Sequence, residues 1–199
     1  MSKRTLALFP LLALALCIIF PLAHGVLASD KQEPPTAIEN PEPSPMIRRT
    51  PYSELLLGST IPLDVDTQIA IYGVCECDPE LFCAVMAIAA TETDFRADAV
   101  GGSGISYGLC QINTEAQEDR IELLGVTDLT DPVQCATVAV SYLLWLEDNM
   151  DNASYDDDPV YMAYNMGLAG SIEAGVESTT YSCEAVEWYG RFMAELSAK

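Results

Sequence analysis

Three Asp-Pro dipeptides constrain this chain more than any other feature: Asp78-Pro79, Asp131-Pro132 and Asp158-Pro159. Each puts a carboxylate acceptor at a helix N-cap and a proline at the first helical position, where the missing amide costs nothing. They predict helices over residues 79–91, 132–148 and 159–165. Further helices are expected over 66–75, 115–124 and 183–196, and strand signals are weak throughout. The helix over 132–148 carries Val133, Ala136, Val140, Leu143 and Leu144 on one broad face. That breadth makes it the expected buried central helix. The expected fold class is mainly α.

The first 28 residues stand apart from this pattern. Lys3 and Arg4 precede an apolar run over residues 6–23, and Val26-Leu27-Ala28 forms a cleavage pattern before Ser29. Residues 1–28 read as an export signal; the alternative is an uncleaved membrane tether, since the run approaches the minimum spanning length. Residues 29–51 hold Pro34, Pro35, Pro41, Pro43, Pro45 and Pro51 among Glu, Ser and Thr. So few apolar groups cannot offset the entropy lost on ordering, so this stretch is a linker. Residues 52–199 then make one folded domain.

Nine basic side chains stand against thirty acidic ones, and Lys3 and Arg4 belong to the signal, so the remaining chain carries a formal charge of −23. Binding a nucleic-acid backbone needs clustered Lys and Arg, which excludes nucleic acid as a partner. Anionic membranes are excluded on the same ground, and no stable membrane insertion is expected once the signal is removed. The surplus of acid keeps an exported monomer soluble. The single histidine, His24, lies in the signal. A Ser-His-Asp or Cys-His mechanism and a His-ligated zinc site are therefore unavailable, leaving carboxylates, Lys, Tyr or bound metal.

Six cysteines follow the signal: Cys75, Cys77, Cys83, Cys110, Cys135 and Cys183. An even number in an exported chain suggests disulfides whose pairing stays open, with Cys110 alternatively a buried free thiol. The acidic run Asp148, Asp151, Asp156, Asp157 and Asp158 lacks the glycine and terminal glutamate of a calcium loop. No metal or cofactor is expected.

Glu92 is the candidate for chemistry. Leu81, Val85, Ile88 and Glu92 recur at spacings of four, three and four, so the acid shares the apolar face of its helix. Desolvation and the negative helix end both raise its pKa, and a carboxyl still protonated near neutral pH can act as a general acid. The competing reading is a Glu at a frayed last turn, facing water. Asp94 and Asp98 follow closely but read as decoration on a solvated loop.

Beyond Glu92-Thr93-Asp94-Phe95 comes a glycine-rich stretch over residues 101–108. Gly108-Leu109-Cys110-Gln111-Ile112 follows it, and later Ala163-Tyr164-Asn165-Met166-Gly167. In order and spacing this constellation resembles the lytic transglycosylase family of the lysozyme superfamily, over roughly residues 66–189. The resemblance implies a lysozyme-like helical domain with a glycine-rich cleft loop, a secreted or wall-associated protein, and the glycan strands of peptidoglycan as partner. It implies that Glu92 is the single catalytic acid, protonating the bond between N-acetylmuramic acid and N-acetylglucosamine and then acting as base to close an anhydro ring. Gln111, Tyr164 and Asn165 would orient the sugar.

The chain departs from the pattern in three places. Thr93 stands where Ser is common, Cys110 replaces a common Met, and the stretch before Gln111 is about one residue longer, which leaves both Ser103 and Ser106 open as the loop serine. Two other functions remain alongside: a hydrolytic lysozyme, and a catalytically silent wall-binding module.

Overall fold

The computed structural model describes residues 61–198. The expected signal over 1–28, with Cys17 and His24, and the linker over 29–51 lie outside the described residues, as do residues 52–60 of the expected domain. Among the described residues seven α-helices form: α1 Val65–Val74, α2 Pro79–Thr93, α3 Glu118–Leu124, α4 Pro132–Asn149, α5 Asp158–Met166, α6 Leu168–Ala174 and α7 Thr180–Ser197. The mainly α expectation holds, and every expected helix is present. None of them is long and apolar enough to cross a membrane.

Two of the three Asp-Pro caps operate as read. Asp78 accepts from the amides of Glu80 and Leu81, and Asp131 from those of Val133 and Gln134. The third is shifted by one residue. Asp157 is the N-cap of α5, accepting from the Asp158 amide at 2.9 Å, so Pro159 occupies the second helical position. Asp158 is freed for a tertiary role: its carboxylate accepts a hydrogen bond from the hydroxyl of Ser182 in the first turn of α7. Ser182 also closes a reciprocal capping box with Thr179, so the start of α7 is fixed against α5.

The central helix is α2, which corrects the assignment of that place to α4. Ten consecutive residues of α2, 81–90, are buried. Its alanines, Ala84, Ala87, Ala89 and Ala90, let neighbours approach from every side, and a helix buried all round shows little amphipathic contrast. On α4 the apolar breadth exceeds the contact made, leaving Leu144 and Trp145 each 40% exposed. Helix α7 lies along α2, where Phe192 meets Phe95 edge-on at 6.4 Å.

Two features were not expected from the sequence. One is α6, seven residues with no side-chain cap. The other is a small antiparallel sheet in the order β1 (Val100–Gly101), β2 (Ser106–Tyr107), β3 (Ile112–Asn113). Val100 pairs with Tyr107, and Tyr107 in turn with Ile112. Among the described residues, Cys75, Cys83, Cys110, Cys135 and Cys183 carry thiols rather than the expected disulfides.

Candidate active site

Helix α2 ends just past Glu92 because the next backbone cannot continue it. Asp94 and Phe95 both take left-handed conformations, with φ of 52° and 63°. Phe95 is nonetheless buried, so its packing holds the reversal in place. Thr93 anchors the turn. Its hydroxyl donates to the Leu109 carbonyl at 2.9 Å and accepts the Arg96 amide at 3.1 Å, tying the end of α2 to the Gly108–Ile112 segment.

That segment is held tightly. Gly108 has φ of +75°, and a Cβ there would lie 1.9 Å from the Leu129 carbonyl oxygen. Only glycine allows this approach. Gln111 follows in a left-handed conformation, φ 48°. Its side-chain amide donates to the carbonyls of Gly108 at 3.0 Å and Ala99 at 3.3 Å, stapling the turn to the start of the glycine-rich loop. Its Oε1 fills the space beside Gly101, where a Cβ would come within 2.3 Å.

From the opposite side α5 brings Tyr164, whose hydroxyl donates to the Cys110 carbonyl at 3.0 Å. Burial pushes the phenol pKa well above its ordinary value, so Tyr164 remains a neutral donor. Asn165 follows on the exposed side of α5. Between these elements lies a cavity of 410 Å³, whose walls include Glu92, Ser106, Gln111, Asn113, Tyr164 and Asn165. The four site residues singled out in the sequence thus border one space. Of the two candidate loop serines, Ser106 lines it.

Glu92 is the sole carboxylate among the lining residues. Asp94 and Asp98 are exposed and line no part of it, as read for a solvated loop. Burial raises the Glu92 pKa above the ordinary 4.5, opposed by the Tyr181 hydroxyl. Glu92 is half-buried, and the frayed, outward-turned alternative does not describe it. Among the described residues no cluster of His, Cys, Asp and Glu could hold a metal ion.

Two aromatic residues were missed by the sequence reading. Tyr142 on α4 lines the cavity, donates to the Ala163 carbonyl at 3.1 Å, and lies against Tyr164 with ring centroids 5.5 Å apart. Trp145 stacks on Tyr142 with ring centroids 5.9 Å apart. The available signal was this pair of aromatics three apart on a helix face. Tyr181, in the first turn of α7, carries a buried hydroxyl with no hydrogen bond of normal geometry. It nevertheless lies near enough to Glu92 to lower the pKa of that acid. No sequence motif pointed to it.

Residues 78–182 match the family model described as the transglycosylase SLT domain. The membrane-bound lytic murein transglycosylase F of Pasteurella multocida (strain Pm70) is 30% identical over 96 residues, which is 47% of this chain and 18% of that protein. The chain therefore spans less than a fifth of the length of that relative. No solved structure gives a significant match.

Proposed function

The chain belongs to the transglycosylase SLT domain family, and from that premise we propose that it is an exported peptidoglycan lytic transglycosylase in which Glu92 is the single acid and base. The carboxyl proton of Glu92 passes to the glycosidic oxygen between N-acetylmuramic acid and N-acetylglucosamine, and the bond to that oxygen breaks. The N-acetyl group of the substrate assists the departure. The Glu92 carboxylate then takes a proton from a hydroxyl of the same sugar, whose oxygen closes the anhydro ring. Water is not consumed, and Glu92 ends the cycle protonated.

The observation that carries this reading is the solitary carboxylate of the cavity wall. Glycosidases of the usual kind need a second acid across the bond, as nucleophile or as base for water. The aspartates nearest in sequence, Asp94 and Asp98, point to solvent. Burial supports the first step, because it keeps the acid protonated at higher pH than a free glutamate. Gln111, with its amide hydrogens committed to the loop, sets the shape of the glycine-rich wall and offers its oxygen. Tyr164 and Asn165 form the facing wall for the sugar and its N-acetyl group, with Tyr142 as an apolar surface beside them. Residues 1–28 direct export, residues 29–51 act as linker, and residues 52–199 form the catalytic domain.

The test is digestion of peptidoglycan in water enriched in heavy oxygen. An internal ring closure leaves the new sugar ends unlabelled. Heavy oxygen in those ends means that water is the nucleophile, and the reaction is then that of a lysozyme.

A further inference from the structure

Cys110 and Cys135 are read by neither the family match nor the catalytic account, yet the two residues meet at the turn that carries Gln111. Both residues are fully buried. The Cys110 amide donates to the Cys135 sulfur at 3.3 Å. The Cys135 thiol faces the Tyr107 carbonyl at 3.8 Å, and its sulfur lies 2.9 Å from where a Cβ on Gly108 would be. Cys135 thus sits in the first turns of α4, pressed against the turn that carries Gln111.

We propose that Cys110 and Cys135 are a dithiol–disulfide pair, and that oxidation covalently pins the cleft-floor segment to the start of α4. The oxidant is a disulfide-bearing thiol oxidant, either an oxidoreductase or a small-molecule disulfide. The thiolate of one cysteine attacks one donor sulfur, releasing the other as a thiolate. The second cysteine, after losing its proton, attacks the resulting mixed disulfide at the protein sulfur and expels the second donor thiolate. The protein loses two electrons and two protons; the donor disulfide is reduced to two thiols. Because both sulfurs are buried in the closed fold, exchange takes place before α4 settles onto the segment.

In the closed fold the Cys110 partner and the backbone amides of Cys110, Ile112 and Leu109 hold the Cys135 pKa down against its burial, while Cys110 is pushed the opposite way by its Cys135 partner and by burial. Cys75 and Cys83 contrast with both: burial pushes each up to about 12, leaving them as inert core thiols. The segment that gains the crosslink is the one already held by Thr93 at Leu109 and by Tyr164 at Cys110. The pairing is independent of the catalytic role of Glu92, so either can fail without the other.

The experiment folds the full chain in a buffer of oxidised and reduced glutathione, blocks remaining thiols, and maps the peptides without reduction. The expected result is a peptide pair linked through Cys110 and Cys135. A second readout is the Tm with and without reductant, for wild type and for Cys110→Ala/Cys135→Ala. Closing a loop of this span is expected to raise the wild-type Tm by about 5–15 °C, a gain that reductant removes and the double variant lacks. Recovery of both cysteines as blocked thiols, or of either linked to another cysteine, overturns the pairing. A linked peptide with equal reductant effects on both proteins overturns the pinning.

Discussion

The Thr93 hydroxyl and the Leu109 carbonyl are 2.9 Å apart and hydrogen-bonded, and through them the residue after Glu92 holds the segment that carries Gln111. Thr93 is 3% exposed, and the same oxygen receives the Arg96 amide. Replacing Thr93 with Val keeps the shape and leaves that carbonyl and that amide without their partner. A cost of about 1–3 kcal/mol in unfolding free energy is expected, with a smaller loss for Thr93→Ser, which retains the hydroxyl. Denaturant titration of the two variants measures the difference. A loss from Thr93→Ser larger than that from Thr93→Val would mean that the methyl group, not the hydrogen bond, holds the segment.

The two glycines that meet the Gln111 side chain differ in what they tolerate. At Gly108 an alanine Cβ would meet rigid backbone at 1.9 Å in a left-handed conformation, so Gly108→Ala is expected to cost more than about 3 kcal/mol and to yield little folded protein. At Gly101 the clash is with the mobile end of Gln111 at 2.3 Å. Gly101→Ala is therefore expected to fold, with a Tm within a few degrees of wild type, while displacing Gln111 and lowering the lysis rate about tenfold. A folded, fully active Gly101→Ala would remove Gln111 from the shaping of the cleft.

Burial of Glu92 has a pH signature in stability. Its folded pKa lies above the ordinary 4.5 of the unfolded chain, so between those two values the folded state binds more protons. Stability contributed by the protonated acid is complete below 4.5 and is lost as pH rises through the folded pKa. Gln has no proton to lose. Glu92→Gln is therefore expected to melt with wild type at about pH 4 and a few degrees above it at about pH 7. A gap that stays constant with pH would contradict the burial of the carboxyl. Lysis should fall over the same interval as the acid form disappears.

Tyr181 supplies the opposing influence, and its hydroxyl is the group to remove. In Tyr181→Phe the Glu92 titration, followed by carboxyl NMR, is expected to move upward. Loss of a buried hydroxyl without a hydrogen bond of normal geometry should leave Tm unchanged or slightly raised. An unmoved titration would separate the two residues.

What the sequence revealed follows from how local each signal is. Asp78 and Asp131 cap helices through amides two and three residues away, and so are readable from a dipeptide. Asp158 was misread because its partner, Ser182, is reached only through the tertiary fold. The centre of the core was assigned to α4 because a broad apolar face was easier to see than the small residues that let α2 be enclosed. The sheet escaped notice because each strand is two residues long, too short for any alternation to register. Glu92, Gln111, Tyr164 and Asn165 could be named from their motifs, and all four border the cavity. Tyr142 and Tyr181 belong to the same neighbourhood by packing alone.

The most direct measurement is mass analysis of the fragments released from purified peptidoglycan by wild type and by Glu92→Gln side by side. Wild type is expected to release fragments with anhydro ends, each lighter by one water than its reducing-end counterpart. Glu92→Gln is expected to release them at least about a hundredfold more slowly while remaining folded. Fragments with reducing ends alone, or an undiminished rate from Glu92→Gln, would contradict the account.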